Sequence, residues 1–131
     1  LEHVPPDVVA AILLEARRVL RRGGYLVHLI DLSDHFAHSD PAISRINFLR
    51  FGDNTWRLLA GNRYMYMNRL RASDYRSLFM GTGLALRCVR EEMDAGVFQL
   101  LNSGFGVAAP FRTKDAADLA ITGVDVVAQV D

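Results

Sequence analysis

Arg18-Val19-Leu20-Arg21-Arg22-Gly23-Gly24 leads straight into Tyr25-Leu26-Val27-His28-Leu29-Ile30, and this junction decides the fold. Upstream of it, Pro5-Pro6-Asp7 opens a helix, because proline is tolerated in a first turn and an acid there suits the helix dipole. Val8, Val9, Ile12, Ala16, Val19 and Leu20 recur at helical spacing and predict one apolar face. Gly23-Gly24 stops the helix, since glycine readily takes the left-handed conformation of a C-terminal cap. The run Tyr25–Ile30 is almost wholly apolar, as a strand buried on both faces would be. Helix, glycine pair and strand make the αβ half of a βαβ unit, so the chain reads as α/β.

Downstream the chain turns polar from Asp31 to Asp40. Pro41 starts a predicted helix with Ile43, Ile46, Phe48 and Leu49 inward, and Thr55 to Ala60 predicts a short helix around Trp56. The aromatic, Met-rich and basic stretch 62–71 lacks clean periodicity and reads as a lid or connecting loop. Ser73 is an N-cap for a helix with Tyr75, Leu78 and Phe79 inward. Leu84–Arg90 and Ile121–Val130 are a second and a third strand, separated by short helical turns at 95–101 and 115–119.

The chain has 131 residues and half of them are hydrophobic, enough for one domain over 1–131 with a real core. Fifteen Lys and Arg balance 15 Asp and Glu. Zero net charge argues against a nucleic-acid or membrane partner, both of which usually show a basic excess. Arg17, Arg18, Arg21 and Arg22 spread around a helix and read as a solvated face. The single cysteine, Cys88, excludes an internal disulfide and reads as a small buried hydrophobe. No apolar stretch approaches the roughly 20 residues of a membrane span, and no signal-peptide pattern opens the chain, so a cytoplasmic location is expected.

Two phrases go further. Leu1-Glu2-His3-Val4, followed one helix later by Arg18-Val19-Leu20-Arg21-Arg22-Gly23-Gly24, resembles a passage of the class I S-adenosylmethionine-dependent methyltransferases. There the first phrase follows the fourth strand and the second closes the helix before the fifth. Asp31-Leu32-Ser33-Asp34-His35-Phe36, Asn47-Phe48-Leu49-Arg50 and Asn68-Arg69-Leu70-Arg71 resemble a subgroup with an insertion after the fifth strand, here about residues 36–72. The resemblance covers the chain strongly to about Arg71 and by topology beyond it. It implies a Rossmann-like sheet in the family order 3-2-1-4-5-7-6, with strand seven antiparallel. The three strands here would be family strands 5, 6 and 7. The family's glycine-rich loop and ribose-binding acid have no counterpart in 1–131. S-adenosyl-L-methionine binding would therefore need residues upstream of Leu1, and the chain alone is expected to be inactive.

The resemblance implies methyl transfer to a small-molecule or sugar-like acceptor, with this chain supplying mainly the acceptor side. Ligands of open α/β sheets bind beyond the carboxyl ends of the strands. Asp34 and His35 are accordingly the candidates for catalysis, against the plainer reading that Asp34 caps a turn and His35 packs. Glu2 and His3 would border the cofactor pocket, or simply begin the helix. Asp31, Arg45, Asn47, Tyr64, Asn68 and Arg69 are the candidate acceptor contacts, against an ordinary surface with amphipathic stems. His28 reads as a hydrogen-bonded core histidine. No metal is assigned: His35 and His38 would need a helix to aim both rings together, and the stretch reads as loop. The alternative function is a non-catalytic binding or assembly module. A nucleotide-dependent reductase shares the fold style but not the two phrases. Self-association is expected through the exposed edge of the Tyr25–Ile30 strand, because an unpaired apolar edge is a template for another chain.

Overall fold

A computed structural model describes residues 1–62, 64 and 66–131. Helix α1 (Pro6–Val19) begins where the prolines predict, with Pro5 as its N-cap. Gly23 turns the chain at φ 75°, and its N–H donates to the Val130 carbonyl at 2.7 Å. That bond delivers the chain into strand β1 (Tyr25–Asp31). Helix α2 (Asp53–Ala60) and helix α3 (Ala72–Gly81) follow, then β2 (Ala85–Met93), α4 (Ala95–Asn102), α5 (Ala116–Leu119) and β3 (Ile121–Gln129).

The three strands form one sheet in the order β1-β3-β2, and β3 is antiparallel to both neighbours. The register runs from Tyr25 opposite Gln129 to Asp31 opposite Gly123 on one side, and from Ala85 opposite Gln129 to Met93 opposite Ile121 on the other. No tight turn joins β2 to β3: α4 and α5 lie between them, capped by the Asp94 and Asp115 side chains.

One face of the sheet carries the first core. Ile30, Val124, Val126 and Ala128 pack with Val9 and Leu13 of α1 and with Tyr75 and Phe79 of α3. The other face stays open. Tyr25, Val27 and Leu29 are 59, 58 and 76 % exposed, so the expected burial of β1 on both faces does not hold within this chain. Both packing helices lie on one side, and an apolar run does not reveal which of its residues they reach. The stripe of α1 is corrected for the same reason. Val9 and Leu13 point inward, whereas Val8, Ile12 and Val19 are exposed. Cys88 is exposed rather than buried, opposite Val127 just after an irregularity in β2.

The insertion builds a second core from Ile46, Phe48, Leu49, Trp56, Ala60 and Met67, joined by Val97, Phe111 and Leu119. The helix expected from Pro41 shrinks to a 3-10 turn at Asn47–Arg50, although Ile46, Phe48 and Leu49 are buried as predicted. Trp56 anchors α2, its indole N–H donating to the Met67 carbonyl at 3.0 Å. The stretch 62–71 is no simple lid, because Met67, Arg69 and Arg71 lie underneath, buried; Arg63 and Met65 fall outside the described residues. Helix α3 is capped at Arg71 with Asp74 rather than at Ser73, whose hydroxyl donates to Asp118 at 2.6 Å. Among the described residues, no helix is long and apolar enough to cross a membrane.

Candidate functional site

Asp31 ends β1, and the chain beyond it is held tightly. Leu32 donates its N–H to the Thr122 carbonyl at 2.9 Å and Asp34 donates to Arg45 at 2.7 Å. Ser33 and Asp34 are buried. The Asp34 carboxylate accepts the Phe36 N–H at 3.0 Å and so caps a 3-10 turn spanning His35–His38. In such a turn residues i and i+3 eclipse. The His35 and His38 rings accordingly stack, 4.8 Å apart at 28°. The premise that set a metal aside, a loop unable to aim the two rings together, is thereby overturned.

Both imidazoles approach one carboxylate oxygen. Asp31 Oδ2 lies 3.3 Å from His35 Nε2 and 3.4 Å from His38 Nε2. Asp31 Oδ1 instead accepts from Ser33, at 2.8 Å from the N–H and 2.7 Å from the hydroxyl. The Ser33 hydroxyl also meets His38 Nε2 at 3.0 Å. From the start of the chain, His3 sets its ring edge-on to His35 at 4.9 Å, and Glu2 stands 3.7 Å from His3 Nε2. Glu2, His3, Asp31, His35 and His38 thus form one cluster.

Burial pushes the His35 pKa down, and the opposing pull of Asp31 does not cancel it. Burial also works to raise Asp31, but the hydrogen bonds from Ser33 and the two nearby imidazoles outweigh it and hold the carboxyl below its ordinary value. Asp34 is shifted upward, chiefly by burial. A neutral imidazole beside an ionised carboxylate can accept a proton, because the carboxylate stabilises the imidazolium that forms.

The other predicted residues divide sharply. Arg45 lines an open cleft of about 300 Å³ with Glu2, Asp31, Arg90, Glu92 and Asp125, and pairs with Asp94 at 3.0 Å. Asn47 lies on a neighbouring hollow, and Tyr64 is 75 % exposed. Asn68 and Arg69 are occupied by the fold. Asn68 donates to the carbonyls of Leu1 at 3.0 Å and Val4 at 2.9 Å. Arg69, at φ 59°, donates to the Phe48 and Phe51 carbonyls and to Asp53, between the rings of Trp56 and Phe111. Sequence reasoning missed Ser33, although an aspartate commonly accepts the backbone N–H two residues on, as Asp31 does from Ser33. It also missed the cleft contribution of Arg90, Glu92 and Asp125, which alternation along β2 and β3 puts on the open face.

Comparison of the chain with family models, with curated proteins and with solved structures finds no match to any of the three.

Proposed function

We propose that this chain is the C-terminal, acceptor-side part of a class I S-adenosylmethionine-dependent methyltransferase, acting on an oxygen or nitrogen of a small-molecule or sugar-like acceptor. The observation that carries the reading is the meeting of two distant segments. Glu2-His3, from the first family-like phrase, and Asp31–His38, beyond β1, share one cluster through the His3–His35 contact at 4.9 Å. The sheet order supports it: β1-β3-β2 with β3 antiparallel is what family strands 5, 7 and 6 would present.

The residues of this chain fit only the margin of a cofactor site. Glu2 and His3 would border the cofactor, while the glycine-rich loop and the ribose-binding acid would come from upstream of Leu1. When bound, the cofactor supplies an electrophilic methyl group. The rest falls to the acceptor side. His35 takes the acceptor's proton as its oxygen or nitrogen attacks, and Asp31 steadies the resulting charge. Arg45 and the cleft position the acceptor, which for an in-line displacement is the larger part of the work. Calorimetric titration of S-adenosylmethionine tests the reading, using residues 1–131 and a chain extended upstream by about a hundred residues, the remainder of an ordinary domain. Micromolar binding by the longer chain alone supports a split site. No binding by either overturns it.

A second reading, a non-catalytic assembly module, draws on a different observation: the exposed Tyr25, Val27 and Leu29 on the edge strand β1.

A further inference from the structure

Asp31, His35 and His38 have the composition and spacing of a two-imidazole, one-carboxylate metal site. Zinc bonds to such nitrogens and oxygens at about 2.0–2.1 Å, so tetrahedral ligands stand about 3.4 Å from one another. The Asp31 Oδ2 separations of 3.3 Å from His35 Nε2 and 3.4 Å from His38 Nε2 match that edge. They are too long for charge-assisted hydrogen bonds, which run at about 2.7–2.9 Å. His35 Nε2 is moreover buried, and no partner among the described residues meets it with hydrogen-bond geometry.

The surroundings suit the same purpose. Ser33 engages Asp31 Oδ1 with two hydrogen bonds, leaving Oδ2 toward the imidazoles, and its hydroxyl stands 3.0 Å from His38 Nε2, a contact that the ion would replace. Outer partners of this kind orient a ligating carboxylate and are part of most metal sites. The 3-10 turn supplies both rings from one side at a fixed spacing. Glu2, His3 and His35 form an overlapping trio, and the shared His35 makes the two trios rival seats for one ion.

We propose that Asp31, His35 and His38 bind a first-row divalent metal ion, with the ligand set D-x3-H-x2-H, an occupancy that excludes His35 as the proton acceptor of methyl transfer because the ion takes the same Nε2 lone pair. Three protein donors leave coordination positions for water or for an oxygen donor of a second ligand, as in open rather than closed sites. Asp31 also lines the cleft, so the ion stands at its margin. Two imidazoles and one carboxylate suit zinc or ferrous iron better than magnesium or calcium, which prefer all-oxygen cages.

The test uses the 131-residue chain stripped of metal and carrying Cys88→Ser, because the exposed thiol is a competing soft ligand. Zn²⁺ is titrated calorimetrically and Co²⁺ is followed by its visible absorption. The expected result is one ion per chain at micromolar affinity or tighter, with at least a tenfold loss in His38→Ala and in Asp31→Asn. His38 is half exposed, so its variant keeps the fold, which circular dichroism verifies. His28→Gln, a histidine outside the turn whose ring packs on Phe79, leaves the affinity unchanged. Absence of stoichiometric binding overturns the proposal. So does binding that survives His38→Ala but disappears in His3→Ala, which assigns the ion to the rival trio.

Discussion

The Arg71 guanidinium donates to the Leu32 carbonyl at 2.8 Å, and with its second amino group it reaches the carbonyls of Leu119, at 3.1 Å, and Ile121. One buried side chain thereby ties the loop after β1 to the start of β3, while lying over the Phe48 ring of the second core at 5.9 Å. Burial lowers its pKa to about 10, which leaves it charged at neutral pH. Removing it strands three carbonyls away from water, each at a cost of about 1–3 kcal/mol. Arg71→Met is expected to lower stability by about 3 kcal/mol or more, read from the denaturant midpoint. Arg71→Lys rescues little, since an ammonium on a flexible stem does not reproduce the planar fork. A midpoint unchanged in Arg71→Met would show that the clamp is idle.

His28 supplies a pH dependence. It is half-buried in β1, its ring centroid 6.0 Å from that of Phe79 in an edge-on contact, and its Nε2 has no hydrogen-bond partner among the described residues. Burial lowers its pKa, the Leu1 ammonium lowers it further, and Glu2 pulls the other way. The unfolded chain then binds a proton before the folded one does. Stability is at its full value above the unfolded pKa of about 6.5 and falls as pH drops from there through the lower folded value. Denaturation midpoints measured between pH 7.5 and pH 5 should decline in the natural chain and decline less in His28→Gln. Equal slopes in the two proteins would remove His28 from the account.

How far the sequence could be read depended on the reach of each interaction. The αβ junction was legible because its signals are local, a proline start and an apolar run, but the glycine stop was misplaced: the helix ends at Val19 on an extended Leu20, and Gly23 turns the chain into β1 instead of capping the helix. The burial of Trp56 and the short helices after residues 94 and 115 followed from the same short-range rules, whereas the Asp94 and Asp115 caps were not anticipated. The exposure of Val27 and Leu29 was not legible, because hydrophobicity says that a face prefers cover and not whether a layer lies there. Asn68 and Arg69 read as recognition residues on a loop. Their partners, Leu1, Val4, Phe48 and Asp53, come from other parts of the chain, and nothing local predicts such contacts. The pairing of His35 with His38 depended on one fact, a capped 3-10 turn in place of a loop. The Asp34 side chain that caps it was visible, but the turn type was not.

Asn68 also links the fold to the cluster. Its amide donates to Leu1, Val4 and Tyr75, and its backbone N–H donates to the Glu2 carbonyl at 2.9 Å. It therefore holds in place the segment that carries Glu2 and His3. Asn68→Ala is expected to cost about 1–2 kcal/mol, the usual value of losing such buried bonds. It should also raise amide exchange in the peptide 1–13 more than in β3, as measured by mass spectrometry. Uniform exchange across both regions would mean that Asn68 supports the whole fold rather than this segment.

The edge of β1 makes the last prediction. β1 pairs only with β3, so its other side is free of strand partners among the described residues. The same strand exposes Tyr25, Val27 and Leu29, with Leu29 the most open of the three at 76 %. Long apolar edges of this kind are usually blunted by charge, proline or a bulge. None stands between Tyr25 and Ile30. At tens of micromolar the 131-residue chain should therefore self-associate, pairing β1 with β1 of a second copy. Leu29→Lys places a charge on the exposed face without disturbing the core and should shift the chain toward monomer in light scattering. Leu58→Lys, at a position on α2 that is 87 % exposed, should leave the association unchanged. A natural chain that is monomeric at that concentration would refute edge pairing and, with it, the chief support for an assembly role. Association that Leu58→Lys weakens as much as Leu29→Lys does would place the contact away from β1.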